Sequence, residues 1–78
     1  MNIKLRILQA LKLTDPQRYE KWQLQDQLSY QSRRKIGDTE MQTALNELKA
    51  KGLIDYEVDD LTGDTRYYIT HEGKAKLQ

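Results

Sequence analysis

The chain has 78 residues, enough for one domain near the lower limit of what a hydrophobic core stabilises unaided. Hydrophobic residues make up 37% and charged residues 32%, the balance of a folded protein, and there is no cysteine for a disulfide or a thiolate zinc site. Thirteen basic and twelve acidic residues leave a formal charge of +1, so attraction to a polyanion must come from local clusters.

No apolar run has the length of a membrane span, and Lys4, Arg6 and Lys12 interrupt the stretch where a signal peptide would be apolar. The expected location is cytoplasmic. Asn2 to Lys12 reads as a helix capped by Asn2, with Ile3, Ile7, Leu8 and Leu11 on one face. Thr14-Asp15-Pro16 ends it, because Pro16 disfavours helix in the residue before it.

A second helix is expected from Pro16 or Trp22 to Leu28, with Trp22, Leu24 and Leu28 as anchors. A short strand around Tyr19 to Trp22 is the alternative for its first part. Ser29 to Gly37 is polar and basic, centred on Arg33-Arg34-Lys35, and reads either as more helix or as loop.

The third helix is the best specified, at Thr39 to Lys51. Thr39-Glu40-Met41-Gln42 has the form of a capping box, with Asp38 a competing cap. Met41, Ala44, Leu45 and Leu48 recur at the spacing of one buried face. Gly52 sits where a left-handed stop belongs, and Leu53 can fold back on Leu48 in a Schellman ending.

From Leu53 to Asp59 the period changes to two, with Ile54, Tyr56 and Val58 opposite Asp55, Glu57 and Asp59. Asp60-Leu61-Thr62-Gly63-Asp64 is turn chemistry, and Thr65 to Thr70 is the returning strand of a hairpin. Thr70 can cap a last short helix from His71 to Leu77. The expected fold is therefore α+β. It is a winged helix-turn-helix, with a three-helix bundle, a two-stranded β-hairpin wing and a short C-terminal helix, all in one domain.

Gly37 to Leu77 resembles the core of PadR-type regulators and, more loosely, MarR-type ones. The residues that carry the resemblance are Ala44-Leu45, Leu48, Lys51-Gly52-Leu53-Ile54, Gly63, Arg66-Tyr67-Tyr68, Ile69-Thr70, Glu72-Gly73 and Leu77. It implies a transcription-regulator module whose partner is double-stranded DNA. Two features depart from those families. Their members usually carry further helices for dimerisation, whereas this sequence stops at Gln78, and the wing here is unusually acidic.

With its apolar face buried, the third helix leaves Thr39, Gln42, Thr43, Asn46 and Lys49 outside. Gln42 and Asn46 are one turn apart, and both carry carboxamides that can pair with adenine in the major groove. Arg33, Arg34 and Lys35 form the only run of three like charges, suited to phosphate contact just before a recognition helix. Arg66 lies where a wing meets the DNA backbone.

Against this, Asp55, Glu57, Asp59, Asp60 and Asp64 face Arg66 alone across the hairpin, a charge that phosphates repel. That pattern suits the alternative, a winged helix that contacts a protein partner through an acidic wing and binds no specific DNA. The extra apolar width of the first helix, with Leu5 and Leu13 outside the buried stripe, further suggests a weak homodimer.

No enzymatic role has positive support, since neither a phosphate-binding glycine loop nor a nucleophile-base pair occurs. His71 is the single histidine, and Asp59, Asp60 and Asp64 lack the spacing of an EF-hand loop, so no metal or cofactor is expected.

Overall fold

The computed structural model describes residues 2–77. Helix α1 (Ile3–Thr14) starts as expected, with the Asn2 side chain accepting the Leu5 N–H at 3.1 Å. It runs past Lys12 to Thr14, whose hydroxyl donates to the Ala10 carbonyl at 3.1 Å.

Strand β1 (Tyr19–Glu20) leads directly into helix α2 (Lys21–Ser32), so the short strand and the longer helix both form. Glu20 and Gln23 make a reciprocal capping box, with Gln23 Oε1 accepting the Glu20 N–H at 2.9 Å. Arg33 ends α2 in the left-handed region at φ 57°, and the chain then turns through a short loop.

Helix α3 (Asp38–Ala50) begins one residue before the expected start, and the capping box at Thr39–Gln42 does not form. Gly37 is the N-cap without a side-chain bond, while Asp38 and Thr39 lie inside the first turn. The cause lies in α2. Ser29 Oγ accepts the Ile36 N–H, and the Gln25 amide donates to the Ile36 carbonyl, both at 2.9 Å, with the Ile36 side chain fully buried. Ile36 thereby fixes where the chain turns, and the Gly37 carbonyl takes the Met41 N–H at 3.0 Å.

The end of α3 is a Schellman motif. Gly52 has φ 73°, and the Leu53 and Gly52 N–H groups return to the carbonyls of Leu48 and Lys49, each at 3.0 Å.

Strands β2 (Ile54–Val58) and β3 (Thr65–Ile69) form the hairpin, paired from Ile54↔Ile69 to Val58↔Thr65. The sheet has three strands rather than two, in the order β1-β3-β2, because Tyr19 and Glu20 pair with Tyr67 and Arg66. Only Ile54 of the β2 apolar face is buried; Tyr56 and Val58 run out beyond the helices.

Helix α4 (His71–Lys76) is capped by Thr70, whose hydroxyl oxygen accepts the Gly73 N–H at 3.1 Å. It ends at Lys76 rather than Leu77. Around these elements sits one core in which α1, α2, α3 and β2 supply Ile7, Leu11, Leu24, Leu28, Met41, Leu45, Leu48 and Ile54.

Candidate nucleic-acid interface

Burial of Met41, Ala44, Leu45 and Leu48 turns the opposite side of α3 to solvent. Thr39, Thr43 and Asn46 are exposed along it, with half-buried Gln42 and exposed Lys49 on its wing side. Gln42 Nε2 donates to Asn46 Oδ1 at 2.9 Å, so the two carboxamides are joined, not merely adjacent. Asp38 and Glu40 belong in the first turn, where the helix dipole favours negative charge.

The acids along α3 each meet a cation from another part of the chain. Lys21 reaches Asp38 at 2.8 Å, and Lys4 reaches Glu47 at 2.6 Å. Arg34 spans Glu40 with two bonds at 3.0 and 3.2 Å. The Arg34 hydrogen bond holds the Glu40 carboxyl below the ordinary carboxylate range, and Glu40 in turn raises the Arg34 guanidinium. Lys4 lowers Glu47 in the same way. The strip from Thr39 to Asn46 is therefore neutral and rich in hydrogen-bonding groups, with its flanking charges compensated.

The expected basic run is divided by the fold. Arg34 is committed to Glu40, while Arg33 and Lys35 are exposed and make no ion pair among the described residues. Lys49 bridges α3 to the wing, 3.4 Å from Asp55 and 5.8 Å from the centre of the Tyr56 ring. Arg66 lies a looser 3.8 Å from Asp59.

Three of the five wing acids have partners. Asp55 accepts the Tyr56 N–H and faces Lys49; the backbone bond comes first in keeping its carboxyl below the usual range. Asp59 organises the turn by accepting the Leu61 and Thr62 N–H groups at 2.8 and 3.2 Å, which lowers it as well. Gly63, at φ 76°, closes that turn on the Asp59 carbonyl at 2.8 Å. Glu57 pairs with Arg18, which also lies 4.6 Å over the Tyr68 ring.

Asp60 and Asp64 are left without an ion pair among the described residues. Arg18 is the neighbour of the wing acids that sequence reasoning missed. It stands 39 positions from Glu57, and only the pairing of β1 with β3 brings the two together.

Three helices, a hairpin wing braced by a third strand and a capping fourth helix define a winged helix-turn-helix fold. No protein-family model matches the sequence, and no curated protein is significantly similar to it. Solved structures do match. H. salinarum RosR has a TM-score of 0.82 at 18% identity, over 99% of this chain and 66% of that one. A candidate transcriptional regulator from Thermoplasma acidophilum gives 0.78 at 23% identity, over 96% and 70%. A PadR family transcription regulator from hypervirulent Clostridium difficile R20291 gives 0.68 at 24% identity, over 96% and 78%.

At these identities the likeness is one of fold. The chain spans between 66% and 78% of the length of these three proteins. No helix among the described residues is long and apolar enough to cross a membrane.

Proposed function

We propose that this chain is a DNA-binding transcription regulator that acts by occupying a site, with α3 in the major groove and no chemistry of its own. The observation that carries this reading is the neutral strip of Thr39, Gln42, Thr43 and Asn46. It is bordered by Lys49 and has its neighbouring acids already paired. A helix fits the major groove, and amide and hydroxyl groups read base edges there. Arg33, Arg34, Lys35 and Arg66 are assigned to the phosphates on either side; Arg34 keeps its bonds to Glu40 and offers its remaining N–H groups, while Arg66 exchanges Asp59 for a phosphate. Selection from random duplexes at low salt tests the proposal. Enrichment of one sequence is expected, and retention of every sequence equally would reject it.

One observation favours the second reading, a wing that contacts protein. Leu61 is 96% exposed at the tip of the hairpin, between the unpaired carboxylates Asp60 and Asp64. Changing both aspartates to asparagine separates the two. On DNA it is expected to strengthen non-specific binding a few-fold, because two charges that repel phosphate are gone. If the tip meets a protein, the same change leaves DNA affinity flat.

Weak homodimerisation through α1 belongs to the same proposal. Two half-sites multiply a modest single contact, and Leu5 and Leu13 are exposed on the outer side of α1. Arg6 and Lys12 would face their own copies across such a pair, which keeps it weak and makes added salt favour it. Sedimentation equilibrium is expected to show a dimer at high micromolar concentration that Leu5→Glu abolishes. A wild type that stays monomeric there removes the dimer from the proposal.

A further inference from the structure

The α3 strip presents two kinds of side chain in two columns. Gln42 and Asn46 form the column on the wing side; Thr39 and Thr43, also four residues apart, form the one beside it. Thr39 stands three residues before Gln42, and Thr43 three before Asn46, so each threonine neighbours a carboxamide. Both threonines are exposed. Among the described residues neither hydroxyl is spent on a hydrogen bond, whereas Thr14 and Thr70 each bond to the backbone.

A threonine offers a hydroxyl donor and a methyl group side by side. In the major groove thymine offers their counterparts, the O4 acceptor next to the 5-methyl.

The groups suited to a G·C pair are committed inside the protein. Guanine presents the acceptors N7 and O6, best met by Arg or Lys. Arg34 is bound twice to Glu40, and Lys49 lies 3.4 Å from Asp55 and 5.8 Å from the centre of the Tyr56 ring. Cytosine presents an amino donor, which a carboxylate accepts. Asp38, Glu40 and Glu47 are the carboxylates beside the strip, and Lys21, Arg34 and Lys4 hold them.

We infer that Thr39 and Thr43 are specificity residues for thymine and that the strip selects A·T pairs over G·C. This rests on α3 lying in the major groove.

The probe is the duplex recovered by selection, with each thymine of its core replaced in turn by 2′-deoxyuridine, which lacks only the methyl. At one position or more, the wild type is expected to bind about fourfold more weakly, the worth of one buried methyl. Thr39→Ser or Thr43→Ser, which keeps the hydroxyl, should lose the same factor on the thymine duplex. The variant that has lost the contact should then be indifferent to uracil at that position. Exchanging the whole pair for G·C is expected to cost about tenfold or more.

A selected core of G·C pairs overturns the inference and leaves α3 a reader of DNA. So does a wild type unmoved by every uracil, or a uracil penalty that both serine variants keep in full. Equal retention of all sequences rejects the major-groove reading itself, and the inference falls with it.

Discussion

Adding one methyl group at Gly73 is expected to destabilise the domain by about 3 kcal/mol, the upper end for overpacking a closed site. A Cβ there would lie 2.1 Å from the Leu53 carbonyl oxygen and 2.7 Å from Cγ1 of Ile69. The oxygen cannot retreat, because it accepts the Thr70 N–H at 3.1 Å. Thr70 is itself tied down, its hydroxyl donating to the Gly52 carbonyl at 2.6 Å and accepting the Gly73 N–H. One junction thus joins the end of α3, the exit of the wing and the start of α4.

A chain of this size has a total stability on the order of 4–12 kcal/mol, so the loss is a large share of it. Thermal unfolding of Gly73→Ala should shift down by roughly 12–24 °C. Gly37→Ser is the control. It has open space around it and supplies the cap that α3 lacks, and it should stabilise by a few tenths of a kcal/mol. A Gly73→Ala protein that melts with the wild type would mean that the junction is looser than these contacts require.

On DNA, loss of either carboxamide from α3 is expected to cost about 1–3 kcal/mol at the selected site and to relax its sequence preference. The hydrogen bond from Gln42 Nε2 to Asn46 Oδ1 leaves the Gln42 oxygen as an acceptor and the Asn46 amide as a donor for a ligand. One acceptor and one donor are what the major-groove edge of adenine requires, through its N6 amino group and N7. The pair therefore acts as a unit. Asn46→Ala, Gln42→Ala and the double variant should all lose nearly the same affinity, whereas independent contacts would add. Titration of the three on the selected duplex distinguishes these outcomes, and full additivity would remove the paired reading.

The parts of this architecture that were legible in the sequence are those whose causes lie close together along the chain. Gly52 and Leu53 terminate α3 through bonds to Lys49 and Leu48, and Thr70 caps α4 through Gly73; each signal spans a few residues. The hairpin likewise shows in the alternation after Leu53. What escaped depends on distant partners. Strand β1 shows in the sequence only as an alternative to helix, and its pairing with Tyr67 and Arg66, far along the chain, does not show there at all. The start of α3 looked like a Thr39 cap, but Ser29 and Gln25 hold Ile36 and move the turn to Gly37.

The same applies to the candidate interface. The face of α3 followed from helical period, whereas its electrostatics did not. Nothing local tells that Lys4 serves Glu47 or that Arg18 serves Glu57. The acidity of the wing, counted from sequence as a barrier to phosphate, shrinks once those partners are in place.

The strand order gives the wing acids another consequence. With β3 in the middle, β2 is the rim of the sheet and leaves one side of its backbone unpaired. Its exposed Tyr56 and Val58 would make that rim attractive to an extended segment of any other chain. Asp55 and Glu57 alternate with them, and a second β2 laid alongside would bring carboxylates close together. The same carboxylates thus guard a crowded solution of identical molecules against growing sheets.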